Sequence, residues 1–149
     1  MNEIADLENN IKDEIKRADH LIYVTLKYTR TVDVMKNVIK RLLSALDSGI
    51  LELLEELKSN GKVSMIPPSP LARLELLEKL LKNEVKDYIK FYSLLRKIDR
   101  GEYKKFEEYR KGVMLVVKDK TPIEINVETL KGYFEKTKEF VNFIEGFKE

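Results

Sequence analysis

One run of the chain constrains its architecture more than any other. Between Val32 and Ser59, apolar side chains return at three- and four-residue steps: Val32, Met35, Ile39, Leu43, Leu46, Ile50, Leu53 and Leu57. That spacing draws a stripe along one helical face and does not fit the period of two that a strand requires. A second strip, Val38, Leu42, Ala45 and Gly49, lies beside it. Two small residues four apart permit a second helix to approach closely; alternatively, Ser48-Gly49 marks a kink. The run stops at Ser59-Asn60-Gly61, a C-terminal signal, and Met65-Ile66-Pro67-Pro68-Ser69-Pro70 cannot continue a helix, because each Pro removes a donor and constrains its predecessor.

The rest of the chain has the same texture. A first helix is expected from near Asn2, with Ile4, Leu7, Ile11, Ile15, Ala18, Ile22 and Leu26 on one face and Asp13 and Arg17 as a favourable i,i+4 pair. Toward its end, Leu21, Ile22, Tyr23, Val24, Leu26 and Tyr28 cover most of the circumference. A helix apolar all round is covered on more than one side, so this end is either central to the fold or an interface. Thr31 is the expected N-cap of the second helix. A third helix is expected over 70–100, with Leu74, Leu77, Leu81, Val85, Tyr88, Tyr92 and Leu95 inward at nearly heptad steps. After Gly101 comes an expected short fourth helix, 102–111, with Tyr103, Phe106 and Tyr109 or Arg110 inward. Val113–Val117 and Ile123–Val127, separated by the turn-like Lys118-Asp119-Lys120-Thr121-Pro122, read as a hairpin. Asn126 can cap a final helix over 127–147, which buries Leu130, Tyr133, Phe134, Thr137, Val141 and Ile144. The expected fold class is therefore all-α: a bundle of four or five helices, with a small β-hairpin near 113–127. Residues 1–149 form a single domain, with a flexible Pro-rich linker at about 60–70 between the second and third helices.

The chemistry is bounded by what is missing. The chain has one histidine, His20, and no cysteine. Neutral-pH catalysis leans on these residues, and metal clusters built on Cys or several His are excluded. No Glu-x-x-His pair of the di-iron type occurs, and the carboxylates, such as Glu52, Glu55 and Glu56, sit between apolar positions with Lys or Arg within a turn. The glycines stand singly, so no phosphate loop is present, and no serine has a nucleophile-elbow context. No catalytic residue, cofactor or metal site is expected. The acidic N-terminus does not fit a secretory signal, no stretch is long and apolar enough to span a membrane, and a cytoplasmic protein is expected.

Charged residues make up 36 % of the chain, yet the net charge is only +2. The Lys/Glu-rich composition without Gln, Trp or Cys matches a thermophile bias, and equally a Lys-rich genome. Cations nevertheless cluster. Lys16, Arg17, Lys27, Arg30, Lys36, Lys40 and Arg41 share one region with Tyr23 and Tyr28; Arg96, Lys97, Arg100, Lys104, Lys105, Arg110 and Lys111 form a second. Convergent cations bind phosphates and aromatic faces stack bases, so Lys16, Arg17, His20, Tyr23, Lys27, Tyr28, Arg30, Arg96, Arg100, Arg110 and Lys111 are candidates for RNA contact. The competing reading is neutralisation by Asp19, Asp33, Glu107 and Glu108. Leu21, Val24 and Tyr28 are candidates for a protein interface. The leading functional expectation is a non-catalytic interaction module that self-associates as a homodimer, with RNA binding as the alternative.

The run Lys16-Arg17-Ala18-Asp19-His20-Leu21-Ile22-Tyr23-Val24-Thr25-Leu26-Lys27-Tyr28 resembles the opening helix of HEPN-like helical bundles and of uncharacterised archaeal proteins. The resemblance covers the first two helices. It implies an all-helical bundle that dimerises, beside a nucleotidyltransferase-like partner. Active HEPN ribonucleases carry an Arg, four to six arbitrary residues and then a His late in the chain. Arg110 is followed by no histidine, so no catalytic residue carries over. A divergent ribonuclease would require His20 close to Arg110.

Overall fold

The computed structural model describes residues 3–148, so the expected helix start at Asn2 lies outside the described residues. The first helix, α1 (Glu3–His20), continues through a π-helical turn (Leu21–Thr25) and a last α-turn (Leu26–Tyr28). Then follow α2 (Val32–Ser59), α3 (Pro70–Leu81), a 3₁₀ turn (Lys82–Glu84), α4 (Lys86–Arg100), strands β1 (Tyr103–Phe106), β2 (Met114–Val117) and β3 (Ile123–Ile125), and α5 (Val127–Lys148). The fold is a mostly helical bundle with a small antiparallel sheet of order β1-β2-β3.

The second helix is the axis. Fifteen of its 28 residues are buried, which requires neighbours on several sides, and α1, α3, α4, α5 and β2 supply them. α1 runs antiparallel to α2 and α5 runs parallel to it. This follows from the pairs that join them: Asn10 with Ser48 and Glu14 with Arg41 from α1, and Ile144 and Lys148 against Gly49 and Glu52 from α5. The small-residue strip takes part in that packing. A Cβ at Gly49 would lie 2.7 Å from Ile144 Cδ1 and 3.1 Å from the Phe140 ring, and α2 continues as regular helix through Ser48-Gly49. The close-approach reading is the one observed.

The caps follow the sequence. Thr31 Oγ1 accepts from the Val34 amide at 3.3 Å and Asn126 Oδ1 from the Thr129 amide at 2.8 Å. Ser69 caps α3 with Pro70 at its first position. The Pro-rich segment is loop; Val63 within it is buried, and the Pro67 carbonyl accepts from Arg73 Nε at 2.8 Å.

Two expectations are corrected. The helix expected over 70–100 breaks at Lys82–Glu84, where Lys82 adopts a positive φ of 49°. The break changes the phase of the buried face: beyond it Phe91 and Ile98 join Tyr92 and Leu95 inside, while Leu81 and Tyr88 are only half-buried. The helix expected over 102–111 is absent; its first half is β1, and Tyr103, Phe106 and Tyr109 are exposed rather than inward. The cause is tertiary. Leu115 and Val117 on β2 are fully buried, and β1 supplies backbone partners through Tyr103↔Val117 and Lys105↔Leu115 that a local helix would deny them.

The bundle buries a few polar groups: Glu14, Ser48 and Glu52 are tied across elements, and Thr137 donates to the Tyr133 carbonyl of its own helix at 2.9 Å. Glu52 on α2 is fully buried and accepts from Lys148 Nζ, which also reaches Glu8 at 2.9 Å and Glu145 at 3.5 Å. Burial raises the Glu52 carboxyl above the usual carboxylate range, and its lysine partner opposes that. Tyr92 donates to Asp47 Oδ1 at 2.6 Å, and burial pushes the phenol up to about 12. No helix among the described residues is long and apolar enough to cross a membrane.

Three outcomes follow for stability in urea. Gly49→Val places a branched side chain against Ile144 and Phe140 and costs about 2 kcal/mol, the range of overpacked cores; an unchanged unfolding midpoint would contradict the close approach. Lys148→Met leaves Glu52 buried without its partner and costs about 3 kcal/mol, and adding Glu52→Gln restores most of the loss. Desolvation acts against the charged Lys148, but its carboxylate partners outweigh it and raise its pKa, while burial raises that of Tyr92; both groups therefore keep their protons in the folded chain at pH values where the unfolded chain loses them. Their contribution is full below about pH 10 and declines as pH climbs from there through about 12. Alkaline titration of stability followed by circular dichroism measures that decline.

Candidate nucleic-acid interface

The π turn in α1 is where the site begins. Ala18, Ile22 and Leu26 are all buried, three positions at four-residue steps that a regular α-helix would carry steadily around its axis. The Leu26 amide donates to the Leu21 carbonyl, an i→i−5 bond, so the extra residue keeps the stripe facing inward. Tyr23 and Lys27 follow Ile22 and Leu26 by one position each and so share a flank, the one toward α5. Tyr23 meets Phe134 of α5 edge-on at 6.1 Å, and Lys131 Nζ sits 5.6 Å from the Tyr23 ring centre.

The segment between β1 and β2 builds the opposite wall. It docks on the α1–α2 corner by two bonds: the Tyr109 amide donates to the Arg30 carbonyl at 2.7 Å, and Glu108 Oε2 accepts from the Val32 amide at 2.8 Å. Val32 opens α2, so the Glu108 carboxylate serves the helix's free amides and its positive end. The docking holds Glu107 and Tyr109 at φ of 50° and 68°, left-handed conformations that cost about 1 kcal/mol or more for residues with a Cβ. Gly112 closes the segment, since a Cβ there would meet Glu107 Oε2 at 2.6 Å. Lys111 is thereby brought beside Arg30.

The result is a cleft of about 250 Å³ lined by Ile22, Tyr23, Leu26, Lys27, Arg30, Lys111, Val127, Glu128 and Lys131. Among the described residues, Lys27, Arg30 and Lys111 have no carboxylate within ion-pair distance, whereas Lys131 meets Glu128 at 3.2 Å. Tyr28 and Tyr109, which flank the cleft in sequence on two sides, expose 84 % and 75 % of their surface.

The sequence candidates divide. Tyr23, Lys27, Arg30 and Lys111 share the cleft, so one residue of the second cationic cluster joins three of the first. Lys16, Arg17, His20 and Leu21 line an open groove between α1 and α2, with Asp13, Asn37 and Arg41, of about 800 Å³, and Asp13 and Lys16 also line a hollow on the α5 side. In the α1–α2 groove Arg17 and Arg41 both pair with the buried Glu14, at 3.5 and 3.3 Å, and His20 Nδ1 stands 3.5 Å from Thr25 Oγ1. Arg110 does not line that groove. Arg96 lies beside the Asp47–Tyr92 pair, and Arg100 is exposed at the end of α4; neither lines the cleft. Of the interface candidates, Leu21 packs against the core, while Val24 exposes 43 % of its surface and Tyr28 nearly all of its own. Sequence reasoning missed Lys131, whose approach to Tyr23 depends on how α5 packs, and the capping role of Glu108, which it read only as a neutralising charge. Among the described residues no group of His, Cys, Asp and Glu could hold a metal ion. Comparison with family models, with curated proteins and with solved structures finds no match.

Glu108→Ala removes a capping carboxylate and is expected to cost about 1 kcal/mol, with faster amide hydrogen exchange at Val32 and Tyr109. Exchange that stays unchanged at both amides would contradict the docking described.

Proposed function

We propose that this chain is a non-catalytic module that binds single-stranded RNA at the cleft between the end of α1, the β1–β2 segment and the start of α5. The observation that carries the reading is the convergence of Lys27, Arg30, Lys111 and Lys131, from three parts of the chain, on one cleft that Tyr23 also lines. Phosphates are held by cations that give up their counterions, and an aromatic face accepts any base. The small net charge does not weigh against this, because several carboxylates are engaged elsewhere, Asp33 with Lys105, Asp99 with Lys40, Asp119 with Lys97 and Glu108 with the α2 amide, and the one acid in the cleft, Glu128, faces four cations. A single strand suits the site better than a duplex, since only unpaired bases can reach a tyrosine set between two helices.

Fluorescence anisotropy with labelled oligouridylate tests the reading. The double substitution Lys27→Gln, Lys111→Gln is expected to weaken binding at least tenfold in low salt and to reduce the slope of log K against log salt by about 1.4. Binding that ignores both substitutions would remove the proposal.

Self-association is a second reading, favoured by one observation: Val24 and Tyr28, one turn apart on α1, are exposed together. A dimer through this face sediments as such at high concentration and is dissociated by Val24→Lys. A strict monomer at all concentrations would end this reading.

A further inference from the structure

The cleft does not end at Tyr23. The same ring also lines a second, larger hollow of about 790 Å³ along the α1–α5 seam, together with Lys12, Asp13, Ile15, Lys16, Asp19, Phe134, Glu135 and Lys138. We infer that the two hollows are one binding track, in which a single RNA strand runs along the α1–α5 groove with Tyr23 where the two hollows join; this rests on the cleft being an RNA site.

Three observations support one track rather than two pockets. The first is shared structure: Tyr23 belongs to both walls, and its ring packs edge-on against Phe134 of the larger hollow at 6.1 Å. The second is spacing. On α1, Lys12, Lys16, Tyr23 and Lys27 fall at steps of four or seven, and on α5, Lys131, Phe134 and Lys138 at steps of three or four, so both sets form rows along facing helix flanks. The rows run in opposite chain directions, and Tyr23 meets Phe134 and Lys131 across the seam. The third is charge. Seven cations line the combined track, Lys12, Lys16, Lys27, Arg30, Lys111, Lys131 and Lys138, against four acids, Asp13, Asp19, Glu128 and Glu135. Two of those acids are paired to track lysines, Glu128 to Lys131 and Glu135 to Lys138 at 3.3 Å, where a phosphate can displace them as exposed ion pairs of little strength.

The track follows α1 from Lys12 to Lys27, about 22 Å at roughly 1.5 Å per residue. That length exceeds what one or two nucleotides can occupy and matches the lower end of site sizes for single-strand binders, about four nucleotides or more. A compact anion bound at the cleft alone would leave the α1–α5 groove unused.

Length and salt dependence test the inference. Labelled oligouridylates of four and twelve nucleotides are titrated by anisotropy over a range of salt. If the whole track is used, about four phosphates are contacted and the longer probe binds with a salt slope of about −3, and if only the cleft is used, about two phosphates are contacted and the slope is about −1.4. The triple substitution Lys12→Gln, Lys16→Gln, Lys138→Gln then reduces the slope of the longer probe from about −3 toward −1.4, and weakens its binding roughly tenfold. All three side chains lie on the surface, and an unchanged thermal melt verifies that the variant folds. A slope of about −1.4 for the wild-type chain with both probes, insensitive to the triple substitution, overturns the track and leaves the cleft standing. Loss of binding in the Lys27→Gln, Lys111→Gln variant with no effect of the triple substitution has the same meaning. No binding of either probe by the wild-type chain overturns the cleft itself and the track with it. A blunt RNA duplex that binds as tightly as the twelve-nucleotide single strand overturns the single-strand track.

Discussion

Desolvation of the central helix is the constraint on which the rest of the structure depends. Placing α2 inside the molecule removes most of its apolar side chains from water, and it also takes in side chains that are not apolar. Each of these must find a partner or cost several kcal/mol. The partners come from different elements: Asn10 of α1 meets Ser48 at 2.6 Å, Glu14 of α1 meets Arg41, Tyr92 of α4 meets Asp47, and Lys148 of α5 meets Glu52. Lys36 extends the pattern by donating to the carbonyls of Ile98 and Asp99 at the end of α4, at 3.2 and 2.8 Å. Apolar packing alone tolerates small slips of one helix along another. A set of directional bonds at several heights along α2 fixes the register of α1, α4 and α5 against it.

That register decides what is assembled at the end of the bundle where α2 and α5 begin and α1 stops. Because α1 is held antiparallel to both, its π turn lies opposite the first turns of α5, and Tyr23 comes to Phe134 and Lys131. The strained β1–β2 segment then binds to two backbone groups at the α1–α2 corner, the Arg30 carbonyl and the Val32 amide. The candidate site uses none of the groups that pin the core. It is formed from side chains on the flanks of elements whose positions the core has already set, a division of labour expected where a rigid scaffold carries binding residues.

Much of the fold was legible in the sequence because the signals were local. The stripe of α2, the stop at Asn60-Gly61, the caps at Thr31 and Asn126 and the alternation at Ile123–Val127 each state their structure within a few residues. What was not legible depended on tertiary partners. Residues 102–111 have helix-forming character, and only the need of Leu115 and Val117 for a strand neighbour turns them into an edge. The break at Lys82 lacks Gly or Pro and reflects a change in the face that α3 and α4 bury. In the site, Tyr23, Lys27 and Arg30 were visible as a cluster because they are close in sequence. Lys111 was assigned to a different cluster, and Lys131 to none, because no local pattern says which helices will adjoin.

The central claim is that one surface of this molecule, and not its general positive charge, recognises an RNA strand. The most direct measurement is photo-cross-linking of the full chain to an oligonucleotide carrying 4-thiouridine, with the modified peptides identified by mass spectrometry. With recognition at this surface, cross-links are expected at Tyr23 and in the peptides that carry Lys111 and Phe134. Cross-links confined to Arg96 and Arg100 on α4, or spread evenly over the surface lysines, would contradict it.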